Sequence, residues 1–253
     1  MRGRDFHLDI YPRYGKRIEQ SGGIKRLLYR IIPRHTILPF WQELHAARVR
    51  LASRRVPGRY AGARGLLVNL GAGDKGKPGW VNVDVLKLPN VNCVYDCRKS
   101  LPFPDNSVKG IFCEHFFEHI DYTEEAPYFL SECRRVLTPG GVIRIIVPDL
   151  GKYLRAYCAG SWEEFSRIRP LVEGGRDRYF GNRYNTQMEL VNVLFRQGHE
   201  HKFAYDFQTL AFLLDKYGFQ NVKQQQFGAS YMQEMVIDTP DRATESLYVE
   251  GVK

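Results

Sequence analysis

From Leu66 the chain runs Leu66-Leu67-Val68-Asn69-Leu70 and passes directly into Gly71-Ala72-Gly73, an apolar strand ending in a Gly-x-Gly turn. Glycines adopt positive φ and let the backbone approach a ligand closely, so such a turn at the carboxyl end of a first strand is a ligand platform. Beyond the turn the chain has the texture of a parallel sheet, with short apolar runs punctuated by Gly and Pro. The runs are Trp80 to Val85, Asn90 to Tyr95, Lys109 to Cys113, Val142 to Val147, Phe219 to Phe227 and Ser246 to Val252. Helical patterns separate the later ones, from about Thr123 to Leu137 and from Phe207 to Tyr217, the first closed by Thr138-Pro139-Gly140-Gly141 and the second by Gly218. Residues 151–200 break this rhythm, being rich in Arg, Tyr, Gly and Asn, and read as an insertion on the substrate side of the sheet.

The glycines extend to Gly71-x-Gly73-x-x-Gly76, which satisfies the dinucleotide fingerprint in letters only. That fingerprint needs a helix opening at the glycines and an acid some 20 positions on. Gly76-Lys77-Pro78-Gly79 cannot open a helix and Asp84 arrives too early, so a nicotinamide enzyme is set aside. Asp84 closes the second strand, where a carboxylate can accept both hydroxyls of one ribose, and Asp96 follows the third, within reach of an adenine amine.

Two further segments complete the series. Leu101-Pro102-Phe103-Pro104-Asp105-Asn106-Ser107-Val108 precedes the fourth strand, and Glu132-Cys133-Arg134-Arg135-Val136-Leu137-Thr138-Pro139-Gly140-Gly141 precedes the fifth. With Glu114-His115 after strand four, this succession resembles the type 11 branch of class I methyltransferases, well over residues 66–150 and loosely over 219–253. The resemblance implies an α/β, Rossmann-like sheet, mostly parallel and seven-stranded with the last strand antiparallel, that binds S-adenosylmethionine. Transferred residue by residue, it implies that Asn69, Gly71, Ala72 and Gly73 hold the methionine part, Asp84 and Val85 the ribose, and Asp96 with Cys97 the adenine. Glu114 and His115 then lie where the methyl is transferred. Two departures stand out: Asn69 replaces the family's usual acid, and the link between strands one and two is too short for a crossover helix. The uncovered face this leaves is expected to be filled by the apolar stripe of residues 37–51.

Methyl transfer asks for in-line placement and, with a hydroxyl acceptor, for a base. Histidine suits that role near neutral pH. His115 is the first candidate; His201, in Gly198-His199-Glu200-His201-Lys202 at the exit of the insertion, is the rival, against the blander reading of a solvated loop. His119 reads as a packed helix residue. His115-x-x-Glu118-His119 also spells the inverted zinc-peptidase pattern, but a third ligand is not evident and no metal is expected. The Asp/Asn-Pro-Pro-aromatic segment of amide and adenine methylation is absent after strand four, as are the cytosine C5 nucleophile motif and the aspartates of metal-dependent catechol transfer. Family analogy then points to metal-free transfer to a small molecule or glycan hydroxyl. The alternative is an RNA-directed or non-catalytic S-adenosylmethionine-binding protein.

That alternative rests on charge. Residues 1–64 hold 15 Lys or Arg against four acids, +11 of a net +9, leaving −2 for the rest of the chain. The basic character thus belongs to an N-terminal extension, 1–64, and not to the methyltransferase domain, 65–253. Ile24, Leu27, Leu28, Ile31 and Ile32 with Lys25, Arg26 and Arg30 form a basic amphipathic helix, suited either to packing on the domain or to peripheral contact with an anionic membrane. No RNA-binding motif accompanies the charge, so nucleic acid is the weaker partner. The five cysteines, none in a Cys-x-x-Cys pair, read as reduced packed thiols, and with no spanning run or signal peptide the expected location is the cytoplasm.

Overall fold

A computed structural model of the chain describes residues 31–172, 176–177 and 183–253. Most of the predicted basic helix at 21–33, Lys25, Arg26 and Arg30 included, lies outside these residues. The described elements are, in chain order, α1 (Arg34–Ala52), α2 (Val56–Tyr60), β1 (Leu66–Leu70), β2 (Val81–Asp84), β3 (Cys93–Val94), β4 (Val108–Glu114), α3 (Ala126–Val136), β5 (Leu137–Pro148), α4 (Leu150–Ala159), α5 (Trp162–Ile168), β6 (Leu171–Val172), β7 (Arg176–Asp177), α6 (Gln187–Arg196), α7 (Phe207–Lys216), β8 (Gln220–Gln225) and β9 (Ser246–Val252). The chain divides into two compact units, one of Ala46–Gly151 with His201–Lys253, the other of residues up to His45 with Lys152–Glu200. None of the described helices is long and apolar enough to cross a membrane.

The first unit holds a seven-stranded sheet in the order β3-β2-β1-β4-β5-β9-β8. β1 to β5 pair in parallel, and β9 alone runs against its neighbours β5 and β8. The expected seven-stranded sheet with an antiparallel last strand is therefore present. The chain leaves β1 toward β2 and β3, then returns to lay β4 on the other side of β1, which makes a topological switch point between β1 and β4.

Side chains alternate across the sheet, as strand geometry requires. Val68, Leu70, Val83, Ile111, Cys113, Ile143, Ile145, Val147, Leu247 and Val249 face the main core, where α3 contributes Phe129, Leu130 and Cys133 and α7 contributes Leu210 and Leu214. Val56 and Tyr60 of α2 pack against the same core. α1 stops just before the run Arg54-Arg55-Val56-Pro57-Gly58, which opens α2 with Pro57 in its first turn, where a missing N–H costs nothing.

The opposite face carries Trp80, Phe112, Ile146 and Tyr248, and the cover it receives is the β8–β9 connection, through Met232, Met235 and Ile237. Gly110 makes room for it: a Cβ there would lie 2.9 Å from the Met235 sulfur and 3.0 Å from Leu67. Arg144 of β5 points to this side, fully buried, and donates to Asp238 at 2.8 and 2.6 Å and to Glu250 at 2.8 Å.

In the second unit, α5 is capped by Ser161, whose hydroxyl accepts from the Glu163 N–H, and α6 by a reciprocal Thr186–Glu189 capping box. β6 and β7 form a two-stranded antiparallel ladder.

Candidate functional site at the β1–β4 switch point

β1 delivers the chain to Gly71 and Gly73, both left-handed, with φ of +70° and +51°. Glycine is required at Gly71 twice over, since a Cβ there would also lie 2.3 Å from the Phe116 ring. Over Gly73 the space is open. The Gly73 N–H donates to Asp84 Oδ2 at 2.8 Å and the Leu86 N–H to Asp84 Oδ1, also at 2.8 Å, so Asp84 fixes the turn with one lone pair of each oxygen and stays half-buried.

Asn69 is spent on the loop. It is buried, and its amide donates to Asn82 Oδ1 at 3.2 Å and to the Lys75 carbonyl at 3.4 Å. Asn82 Oδ1 also accepts from the Lys77 N–H, and its own amide donates to the Lys77 carbonyl. Two acceptors facing position 69 call for a donor, which accounts for asparagine where the family has an acid: a carboxylate would meet two oxygens.

Asp96 is likewise committed. Its buried carboxylate accepts from Arg98 Nε and Nη2 at 2.9 Å each and from Arg50 Nη1 at 2.5 Å. Burial alone would raise this acid, but the Arg98 hydrogen bonds and charge, with Arg50, outweigh it and hold it below the usual carboxylate range. Cys97 beside it is buried and its thiol is pushed up by burial. Cys93, Cys113 and Cys133 are buried free thiols as expected, while Cys158 is exposed.

β4 ends at Glu114, whose two oxygens accept from the Thr239 N–H at 2.8 Å and from its hydroxyl at 2.5 Å. His115 comes next with φ +51°, a left-handed conformation that costs a non-glycine residue about 1 kcal/mol or more and that clusters at functional sites. Its N–H is held by the Ile146 carbonyl at 2.8 Å. Its ring spans two partners, with Nδ1 3.3 Å from Glu118 Oε1 and Nε2 3.0 Å from Ser246 Oγ. Ser246 gives its proton to the Arg242 carbonyl, so its oxygen is left to accept from His115 Nε2–H.

Glu118 is the hub. Its side chain is 2% exposed, and besides His115 its Oε1 lies 3.9 Å from both His119 Nε2 and His201 Nε2. Burial would raise its carboxyl; the His115 hydrogen bond and the charges of His119, His115 and His201 override this and hold it at about 2. The Glu118 carbonyl accepts from the Lys202 and Phe203 N–H groups at 2.8 and 3.3 Å, fastening the chain after the insertion to the end of β4. His201 is therefore buried against Glu118 and edge-on to His119, with ring centroids 4.9 Å apart, and does not sit on the solvated loop that its sequence surroundings suggest. The histidines singled out in the sequence do converge, around a glutamate whose importance was legible only as the Glu of His-x-x-Glu-His. Ser246, Thr239 and Arg98 had no signal of their own.

Residues 81–145, about a quarter of the chain, match the family model described as a methyltransferase domain. A search of curated proteins gives no match. Among solved structures, a SAM dependent methyltransferase from Archaeoglobus fulgidus is 18% identical, with 84% of this chain and 94% of that one covered and a TM-score of 0.44. One from Aquifex aeolicus is 16% identical, covering 79% and 92%, with a TM-score of 0.38. The 1,6-didemethyltoxoflavin-N1-methyltransferase of Burkholderia thailandensis is 13% identical, covering 96% and 90%, with a TM-score of 0.43. Likenesses this distant add nothing to what the strand order and the matched segment say. On those two observations the chain has the class I methyltransferase fold, and its residues 81–145 match the methyltransferase-domain model.

Proposed function

We propose that the chain transfers a methyl group from S-adenosylmethionine to a hydroxyl of a small molecule or glycan. The observation that carries this reading is the juxtaposition at the switch point: a left-handed Gly73 with open space over it, its N–H tied to Asp84, and a strained His115 at the end of the adjoining strand. Residues 71–73 are suited to the methionine end of the cofactor, Asp84 and Val85 to its ribose. Asp84 keeps an unused lone pair on each oxygen for the ribose hydroxyls. Asp96 and Cys97 border the adenine; Asp96 can meet its amine only by sharing an oxygen with Arg98 or Arg50. Asn69 and Glu114 act on the cofactor indirectly, by holding the β1–β2 loop and the segment at Thr239.

When bound, S-adenosylmethionine supplies a methyl already activated by its sulfonium charge, so placement is most of what the protein must provide. For a hydroxyl acceptor the remaining task is to take its proton. His115 is favoured over His201 because its side chain is 17% exposed against 2%. Glu118 orients the ring through Nδ1, and Nε2 becomes the proton-accepting atom once it has released its own proton to solvent and the acceptor hydroxyl has taken the place of Ser246 beside it. This transfer step uses no metal.

A labelled-methyl screen over small alcohols, glycans and RNA identifies the acceptor. On it, His115→Ala lowers turnover by about 10² to 10⁴ with cofactor affinity nearly unchanged, while His201→Ala acts chiefly through stability. If neither substitution slows turnover by about tenfold, the acceptor is an amine or an already acidic group, and the hydroxyl reading falls. Labelling of RNA alone would favour the RNA-directed alternative.

A further inference from the structure

We infer that Glu118, His119 and His201 form a binding site for a divalent transition-metal ion of the zinc class, independent of which acceptor is methylated. One ligand atom from each residue can be chosen so that all lie within 4.8 Å of one another. Two imidazoles and a carboxylate are a donor set that zinc takes, at metal–ligand distances of about 2.0 to 2.2 Å. A tetrahedral ion at those distances places its ligand atoms about 3.3 Å apart. Glu118 Oε1 is 3.9 Å from Nε2 of each imidazole and the whole set lies within 4.8 Å, so side-chain shifts of about half to one and a half ångströms close it.

A second observation points the same way. Glu118 Oε2 is buried and has no hydrogen-bond partner among the described residues, a costly state for a polar atom and more so for a charged one. A cation held by both oxygens of this carboxylate would end that deficit. His119, with 28% of its side chain exposed, leaves the site an edge toward solvent, which gives an ion a way in and room for a water as fourth ligand. The His-x-x-Glu-His spelling lacked a third ligand in the sequence; His201 supplies one, and it is Glu118 with His119, not the two histidines of the motif, that joins it. The ion would pin the chain at His201 to the turn after β4, where Glu118 already holds the backbone of Lys202 and Phe203. Its role is structural: it sets Glu118, and through it the ring of His115.

The test uses the full chain, freed of any histidine tag and stripped with chelator, titrated with zinc chloride by calorimetry and with cobalt(II) while the visible d–d absorption is followed. One equivalent of either ion is expected to bind, with the tetrahedral cobalt spectrum. His119→Ala and His201→Ala should each weaken binding by well over about a hundredfold, whereas His115→Ala, which removes a hydrogen-bond partner of Glu118 and no ligand, should cost no more than about ten- to a hundredfold. His119 is exposed enough that its alanine variant decides the matter should His201→Ala fail to fold. Absence of zinc and cobalt binding by the stripped protein, or binding that His119→Ala leaves unchanged, would overturn the site. Neither result bears on whether the cofactor binds, so this inference and the methyl-transfer reading fail separately.

Discussion

At the scale of single residues, what the sequence disclosed was what backbone geometry dictates. Gly71 and Gly73 were legible because only glycine tolerates their φ without penalty, and Asp84 because it closes a strand beside them. Asn69 and Asp96 were assigned to the cofactor, yet their side chains are engaged by partners that arrive from elsewhere in the chain: Asn82 for the first, Arg98 and Arg50 for the second. Arg50 is 46 residues from Asp96, and local pattern says nothing about such pairs. The Asp96 pairing makes a pH prediction. Its folded pKa is depressed, so the stability it contributes is full above the unfolded value, near pH 4, and is lost as pH falls through the folded value. Asp96→Asn should cost about 2 kcal/mol at neutral pH, less than a fully buried pair because both arginines keep some access to water. Urea midpoints followed from pH 6 to about pH 3 should fall less steeply in the variant than in the wild type; parallel curves would deny Asp96 this role.

Elements were read more reliably than their edges. β9 spans the residues its pattern gave, and β1 likewise, because each is a run of apolar residues with turn signals on both sides. β3 shrinks to Cys93–Val94, since only Val83↔Cys93 and Asp84↔Val94 pair with β2. β5 begins at Leu137 and takes in Thr138-Pro139-Gly140-Gly141, read in the sequence as a closing turn; Leu137 pairs with Val108 before a bulge restores register at Gly110 and Val142. What could not be read was the cover on the second face of the sheet. An irregular connection has no periodicity to betray it, and its anchor, Arg144, bonds residues 94 and 106 positions away. That anchor carries a prediction. Arg144→Met leaves Asp238 and Glu250 as buried carboxylates without their cation, which should cost about 3–5 kcal/mol in urea unfolding. A loss below about 1 kcal/mol would mean that the connection is held by Met232, Met235 and Ile237 alone.

For the whole molecule, the sequence reading of a mostly parallel α/β sheet agrees with the strand order found, because the order of Gly turn, acids and Pro-Gly-Gly segment encodes a topology. The N-terminal extension and its +11 charge were assigned by composition, and most of that helix lies outside the described residues, so membrane contact stays a proposal for the intact chain. The central claim is that the switch point between β1 and β4 binds S-adenosylmethionine through the Gly71–Gly73 turn and Asp84. Calorimetry with S-adenosylhomocysteine, the demethylated product, tests it most directly. The full chain should bind one equivalent in roughly the micromolar range and should not bind NAD. Asp84→Ala, which removes a charged acceptor for the ribose hydroxyls, should weaken binding by about ten- to a hundredfold. A wild-type chain that binds no S-adenosylhomocysteine, or an Asp84→Ala variant that binds it as well as the wild type, would contradict the account.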